Sequence, residues 1–304
     1  MDQTQRNQWV NEVVAEVFSA MVADEVLRNA LIFKGARVLN MHLGDDRQSL
    51  DVDSNFTAEF AAGHRDLETR RRWAEENLER AVRQYFENQN PVRFRLENIR
   101  VKRDPNSDPH PHGWDGLKAS IRVTDDKNAR VRGLPGVEID IASPESLGKG
   151  AVMTFEYCGN VMNAYTLERI AGEKLRAFLT SLPSYRRKIN SQVRDFRVKD
   201  LHDEVRILRT KPIHEEGFWR QAAEEFVLAC GSRYVDCIGL ETFKESWDVT
   251  KDAYETDPNL VRIPFQEAEL ALDTIVKRFT EFGIFPMLFP LPEKELSITP
   301  TSPA

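Results

Sequence analysis

The sequence predicts an α+β protein, with a mixed, sheet-bearing first half followed by a helical second half. Three observations carry this expectation. Short runs that alternate apolar and polar residues fall in the first half, as half-buried strands require. After residue 166 the apolar residues recur at three- and four-residue spacing, the period of a helix face. Between two of the alternating runs lies RDPNSDPHPHGWDG (103–116), dense in turn-forming residues. Runs of strands followed by runs of helices suggest two domains, 1–160 and 161–290, with a boundary near 155–165. The Pro-, Ser- and Thr-rich stretch 291–304 reads as a disordered tail.

Taken in order, Val10, Val13, Val14, Val17, Phe18, Met21, Val22 and Leu27 predict one helix over 5–30. Leu31-Ile32-Phe33 is a short apolar strand that ends at Lys34-Gly35, and a helix over about 36–43 follows. Leu50-Asp51-Val52-Asp53 alternates as a strand. Residues 66–88 form a charged amphipathic helix, and 92–103, 117–124 and 137–142 form three more strands. Helices are predicted over 166–182, about 195–210, 214–230 and 265–281.

The chain has 304 residues, 41% hydrophobic and 30% charged, the composition of a soluble globular protein. It has no apolar run long enough to span a membrane, and MDQTQRNQWV lacks the plan of a secretion signal. The expected location is the cytoplasm. Cys158, Cys230 and Cys237 form no CxxC pair and read as buried free thiols. A net charge of −7 excludes a uniformly basic nucleic-acid coat protein but not a local basic surface.

The chemistry concentrates around Arg47-Gln48-Ser49-Leu50-Asp51-Val52-Asp53. Residues i and i+2 of a strand share a face, so Asp51 and Asp53 project together and raise each other's cost of ionisation. A divalent cation removes that cost. Mg²⁺ is often held by one or two carboxylates together with phosphate oxygens and waters. A site for two metal ions needs a further carboxylate from a neighbouring strand. Asp140, between Ile139 and Ile141, supplies it. Lys34-Gly35 stands between a strand and a helix start, where backbone N–H groups and the helix N-terminus favour an anion. It is neither a Walker A loop nor a dinucleotide fingerprint. His110 and His112, in a Pro-rich loop with no third ligand at a sensible spacing, read as loop residues.

The order strand, Lys-Gly-small, helix, Arg-x-Ser-x-Asp-x-Asp, then Ile-Asp-Ile resembles the nucleotidyltransferase superfamily with a DNA polymerase β-like core. More narrowly it resembles the AbiEii/AbiGii-type and MenT-type toxins of type IV toxin–antitoxin systems. Those carry Lys-Gly-Gly-Thr-Ala-Leu where this chain has Lys34-Gly35-Ala36-Arg37-Val38-Leu39. The resemblance extends through TLERIAGEKLRAFL (166–179), with Lys174, and RDFRVKDLHDEVRIL (194–208), with Asp200. It covers roughly residues 25–210.

The resemblance implies a polymerase β-like core and transfer of a nucleoside monophosphate from an NTP to an acceptor hydroxyl. It implies Mg²⁺ or Mn²⁺ held by Asp51, Asp53 and Asp140, with Asp140 also helping to deprotonate the acceptor. Lys174 would meet the β- and γ-phosphates. Asp200 would orient Lys174 or Arg47, or contact the nucleotide; its plain alternative is an ion pair with Lys199 or Arg197. Lys34, Gly35, Arg37, Arg47 and Ser49 complete the expected nucleotide site. The expected partners are the NTP, a cognate antitoxin and an acceptor, RNA such as tRNA or a protein. The basic segment 185–199, interleaved with Tyr185 and Phe196, is the candidate RNA contact. RRRW (70–73) has glutamates close by and reads as internal ion pairs. Arg37 replaces a hydroxyl of the family pattern, so a nucleotide-binding module that acts through a protein partner stays open as the alternative.

Overall fold

The computed structural model describes residues 2–44, 49–105, 115–129, 131, 133–191 and 195–292. Helices α1 (Gln3–Ala23) and α2 (Glu25–Ala30) lead into β1 (Leu31–Lys34), α3 (Gly35–Leu43) and β2 (Asp51–Phe56). Next come α4 (Ala58–Gly63), α5 (Leu67–Glu87) and the strands β3 (Phe94–Arg103), β4 (Gly116–Asp125) and β5 (Val137–Ala142). A hairpin, β6 (Val152–Tyr157) and β7 (Asn160–Tyr165), closes the β-rich part. The helices α6 (Leu167–Thr180), α7 (Pro183–Lys188), α8 (Val198–Thr210) and α9 (Glu216–Ser232) follow. They are succeeded by α10 (Leu240–Phe243), α11 (Trp247–Thr256) and α12 (Phe265–Glu281).

The strands form one mixed seven-stranded sheet in the order β3-β4-β5-β2-β1-β7-β6. β1 runs antiparallel to β2 and parallel to β7, while β2 and β5 are parallel. The predicted α+β class is what is observed. One face of the outer sheet is apolar: Phe94, Leu96, Ile99 and Val101 of β3 are buried with Leu117, Ala119, Ile121 and Val123 of β4. Helix α5 packs on β3, and α1 crosses β2, β5 and β7. On the far side of the site α6 packs against α8 and α9, and α8 against α12.

The predicted single helix over 5–30 is two helices. The Asp24 side chain accepts the Leu27 N–H at 3.0 Å and so starts α2, while the chain leaves α1 through extended backbone at the same residue. The hairpin β6–β7, which sequence reasoning did not find, covers the stretch where the domain boundary is expected. Its turn holds Cys158 and Gly159 at φ +48° and +75°. Cys158 is exposed there, a correction to its reading as buried; Cys230 and Cys237 are buried, and all three are free. Among the described residues no helix is long and apolar enough to cross a membrane.

Candidate active site

Cross-strand register builds the site. Lys34 of β1 pairs with Asp53 of β2, Asp53 with Asp140 of β5, and Asp140 with Lys118 of β4. Register partners share a face, so the two carboxylates sit side by side, one strand spacing apart. Asp51, two residues back on β2, pairs with Glu138 on the same face. The neighbours Val52, Ile139 and Ile141 are fully buried beneath them. Alternation between a buried and a solvent face thus places the acids as the sequence implied.

Asp51, Asp53 and Asp140 line a cleft of about 770 Å³. Lys174, Arg197, Lys199, Asp200, His202, Asp203 and Arg206 line it too, from α6, α8 and the residue that precedes α8. Residues 257–263, between α11 and α12, form a further wall. The cleft therefore has an acidic side on the sheet and a predominantly cationic side on the helices.

Burial, the neighbouring Asp51 and Asp140 push the Asp53 carboxyl up to about 6, against the opposing pull of Lys34 and Lys174. Asp140 is raised by burial and by Asp51, although Lys118 stands 3.5 Å away and opposes this. These oxygen donors suit a hard cation. Among the described residues no three Asp, Glu, His or Cys side chains close into a ready-made cage. A cation here would complete its shell with phosphate oxygens and waters.

Lys174 Nζ donates to Asp200 Oδ1 at 2.9 Å and lies 2.8 Å from Asp203 Oδ2. Burial alone would strip its proton, but the two aspartates outweigh burial and hold it charged. Asp200 also accepts from Arg197 Nε at 2.6 Å, and Asp203 from Arg206 Nη1 at 3.0 Å. Asp200, buried, thus bonds Lys174 and pairs with Arg197 through one carboxylate. Arg197 was expected only as an ion-pair partner of Asp200 or as part of the basic segment, and Asp203 and Arg206 were not picked out from the sequence. Their signal was the three-residue spacing of Asp200, Asp203 and Arg206 along one helix.

Gly35 takes φ +74°, and a Cβ built there would lie 1.9 Å from Asp53 Oδ2. The glycine leaves the room that Asp53 occupies. Ser49 Oγ donates to Asp51 Oδ1 at 3.3 Å and lines the cleft. Arg37 is turned elsewhere: its Nη2 donates to Ser49 O at 3.2 Å, and its guanidinium lies 5.6 Å from the Phe18 ring. Lys34 donates to Glu173 Oε1 at 2.7 Å. Neither Lys34 nor Arg37 is among the residues lining the cleft. Arg47, His110 and His112 lie outside the described residues.

In the basic segment, Tyr185 is buried and donates to Arg233 O. Arg187 pairs with Glu245 and Lys188 with Asp236, whereas Arg197 and Lys199 reach the cleft. Residues 192–194 lie outside the described residues. In the 70–73 run Arg71 pairs with Glu68 and Glu75, as the sequence implied.

A mixed sheet with acids on one edge of a nucleotide-sized cleft and a fixed lysine on the other defines a nucleotidyltransferase-like class of protein. The model of the nucleotidyl transferase AbiEii toxins of type IV toxin–antitoxin systems matches residues 18–281, and the chain belongs to that family. It is a nucleotidyltransferase of the toxin–antitoxin class. Among solved structures it is similar to the nucleotidyltransferase toxin MenT4 from Mycobacterium tuberculosis H37Rv. That likeness has 11% identity and a TM-score of 0.40, over 91% of this chain and 93% of that one. It is also similar to an antigenic nucleotidyltransferase-like protein from Paracoccidioides brasiliensis. There the identity is 13% and the TM-score 0.33, over 75% and 89% of the two chains. No curated protein matches the sequence.

Proposed function

We propose that this protein moves a nucleoside monophosphate from an NTP to an acceptor hydroxyl on RNA, as the toxin of a pair completed by a cognate antitoxin. The observation that carries the reading is the opposition across one cleft of Lys174, held charged by Asp200 and Asp203, to the Asp51, Asp53 and Asp140 row. A triphosphate spans such a gap, with the end to be transferred at the acids and the leaving end at the lysine.

Asp51, Asp53 and Asp140 would hold Mg²⁺ or Mn²⁺, which when bound supplies positive charge against the phosphate oxygens. Ser49 orients Asp51 by its hydrogen bond, and Gly35 gives Asp53 its place. Asp140 faces the open side of the sheet and takes the proton of the attacking hydroxyl. The hydroxyl oxygen bonds the α-phosphorus as the bond to the bridging oxygen of pyrophosphate breaks. Lys174 and Arg197 offset the charge that collects on pyrophosphate. Arg37 bonds backbone behind Ser49 and leaves the cleft open, so it gives no support to a module that only binds nucleotide.

The test is incubation with Mg²⁺, total bacterial tRNA and each α-labelled NTP in turn, beside an Asp51→Ala, Asp53→Ala double variant. Label is expected in RNA with one or more NTPs and absent with the variant. Absence of label from every reaction, or equal label with the variant, sinks the reading.

A further inference from the structure

The face of the sheet that carries the acids continues past them. Beyond Asp140, β4 and β3 present Lys118, Ser120, Arg122 and Thr124, then Arg95, Asn98, Arg100 and Lys102. The register is continuous: Lys102 pairs with Lys118, Lys118 with Asp140, and Asp140 with Asp53. In the next row Arg100 pairs with Ser120, Ser120 with Glu138, and Glu138 with Asp51. A bulge at Leu96/Asn98 absorbs Glu97 and keeps the alternation in step on both sides of it.

The helices α1 and α5 serve the opposite, apolar face. On this face Arg95, Arg100, Lys102 and Arg122 are all exposed. Lys118 is engaged by Glu138 at 3.3 Å and Asp140 at 3.5 Å, and Arg95 has Asp126 at 3.5 Å. Arg100, Lys102 and Arg122 have no ion pair among the described residues. Among the described residues the acids nearby, outside the Asp51, Asp53 and Asp140 row, include Glu97 and Glu138, Asp126 beside Arg95, and Asp104, which acts on Lys118 and Asp140. In a chain of net charge −7, three cations with no ion pair among the described residues, beside a reaction centre, are a concentrated field for a polyanion.

We infer that the open face of β3 and β4 is the docking surface for the acceptor, an RNA strand whose phosphates lie along Arg100, Lys102 and Arg122 and whose terminal hydroxyl reaches Asp140. Side chains on one face of a strand are about 7 Å apart, on the scale of one nucleotide step. Arg guanidinium planes also stack on unpaired bases, which RNA offers at its single-stranded ends. By contrast Arg187 and Lys188 of the basic segment are spent on Glu245 and Asp236. The choice of acceptor end rests on the transfer reading above; the surface itself does not.

The test is therefore binding, without NTP or metal, of a 5′-fluorescein-labelled single-stranded oligoribonucleotide, followed by anisotropy across a salt series. The full-length protein is compared with an Arg100→Gln, Lys102→Gln, Arg122→Gln variant. Losing three phosphate contacts is expected to make the slope of log affinity against log salt shallower by about two, and to weaken binding about a hundredfold at 0.1 M salt. An Arg100→Lys, Arg122→Lys variant should keep the wild-type slope, which separates lost charge from lost fold. Arg187→Gln should change neither quantity.

Wild-type slope and affinity in the triple variant overturn the inference, as does a loss that follows Arg187→Gln instead. A deoxyribonucleotide of the same sequence that binds as tightly overturns RNA as the occupant. RNA binding that depends on the three cations, with no nucleotide transferred, leaves the surface standing and removes the transfer reading. Transfer that is indifferent to them does the reverse.

Discussion

Gly35 combines left-handed backbone with a contact that no side chain can share, since its missing Cβ would meet Asp53 Oδ2 at 1.9 Å. Gly44, at φ +62°, has the same backbone need but nothing within 4 Å. The pair makes a controlled comparison. Gly35→Ala should cost about 1–2 kcal/mol of left-handed strain and also displace Asp53 by an ångström or so, enough for about a hundredfold loss in transfer rate. Gly44→Ala should carry the strain alone and keep its rate. Equal rates for the two variants in the labelling assay, with thermal melts recorded alongside, would show that Asp53 does not depend on the gap. The sequence made Lys34-Gly35 conspicuous as a strand-to-helix turn, and it made Asp51, Asp53 and Asp140 conspicuous through strand alternation. It did not reveal that Lys34 is drawn to Glu173 or Arg37 to Ser49 O, because those partners lie in other elements and no local pattern names them.

At the scale of elements, strong periodicity was readable and local interruption was not. Helix α5 and strands β3 to β5 follow from their apolar patterns. The break at Asp24 was hidden because the apolar stripe continues through it to Leu27, even though Asp24 is a capping residue type. The β6–β7 hairpin escaped because its turn is Cys158-Gly159, not one of the Asn-Gly or Asp-Gly pairs that announce such turns. Nor does a pattern in α1 foretell its docking on the sheet, which has a polar pin. Trp9 Nε1 donates to Asp125 Oδ2 at 2.9 Å, and Asn128 Nδ2 donates to the same oxygen at 2.7 Å. Arg93 donates to both oxygens at 3.3 Å. Burial alone would raise the Asp125 carboxyl, but hydrogen bonds from Asn128, Arg93 and Trp9 outweigh it and bring it from 3.8 down to about 2. A depressed folded-state pKa means stability that is complete above about 4 and lost as pH falls through 2. The linked contribution is about 2 kcal/mol. Asp125→Asn should therefore be less stable than wild type by about that amount in urea melts at pH 6, and the gap should shrink to roughly half by pH 3. A gap that does not change with pH would show that Asp125 is not titrating against these donors.

The whole molecule is joined across its two halves by charge as well as by a shared core. Glu145, in the connection after β5, accepts from Arg169 Nη2 of α6 at 2.9 Å and from Arg233 Nη2, just past α9, at 2.5 Å. Arg169 is fully buried and also donates to Glu225 of α9 at 3.2 Å. Lys34 of β1 stands 4.0 Å from Glu145 and is bonded to Glu173, the neighbour of Lys174 on α6. One strand and two helices thus converge on a buried carboxylate, and α6 turns one of two successive residues toward it and the other toward the cleft. Buried apolar residues of β1 and β7 belong to the same cluster as those of α6, α8 and α9. A division near residue 160 marks a change of secondary structure, and the packing across it argues for cooperative unfolding of both sides. Glu145→Gln would take a buried carboxylate from Arg233 and leave Arg169 with Glu225 alone, a loss of about 3–5 kcal/mol. In a chain of this size the melting temperature should fall on the order of 10 °C. Because the network links the halves instead of stabilising one, calorimetry should show a single transition for wild type and a single, lower one for the variant. Two separated transitions in wild type would mean that the halves fold independently. An unchanged melting temperature in the variant would mean that the arginines find other anions, and that the cleft's two sides are held in place by apolar packing alone.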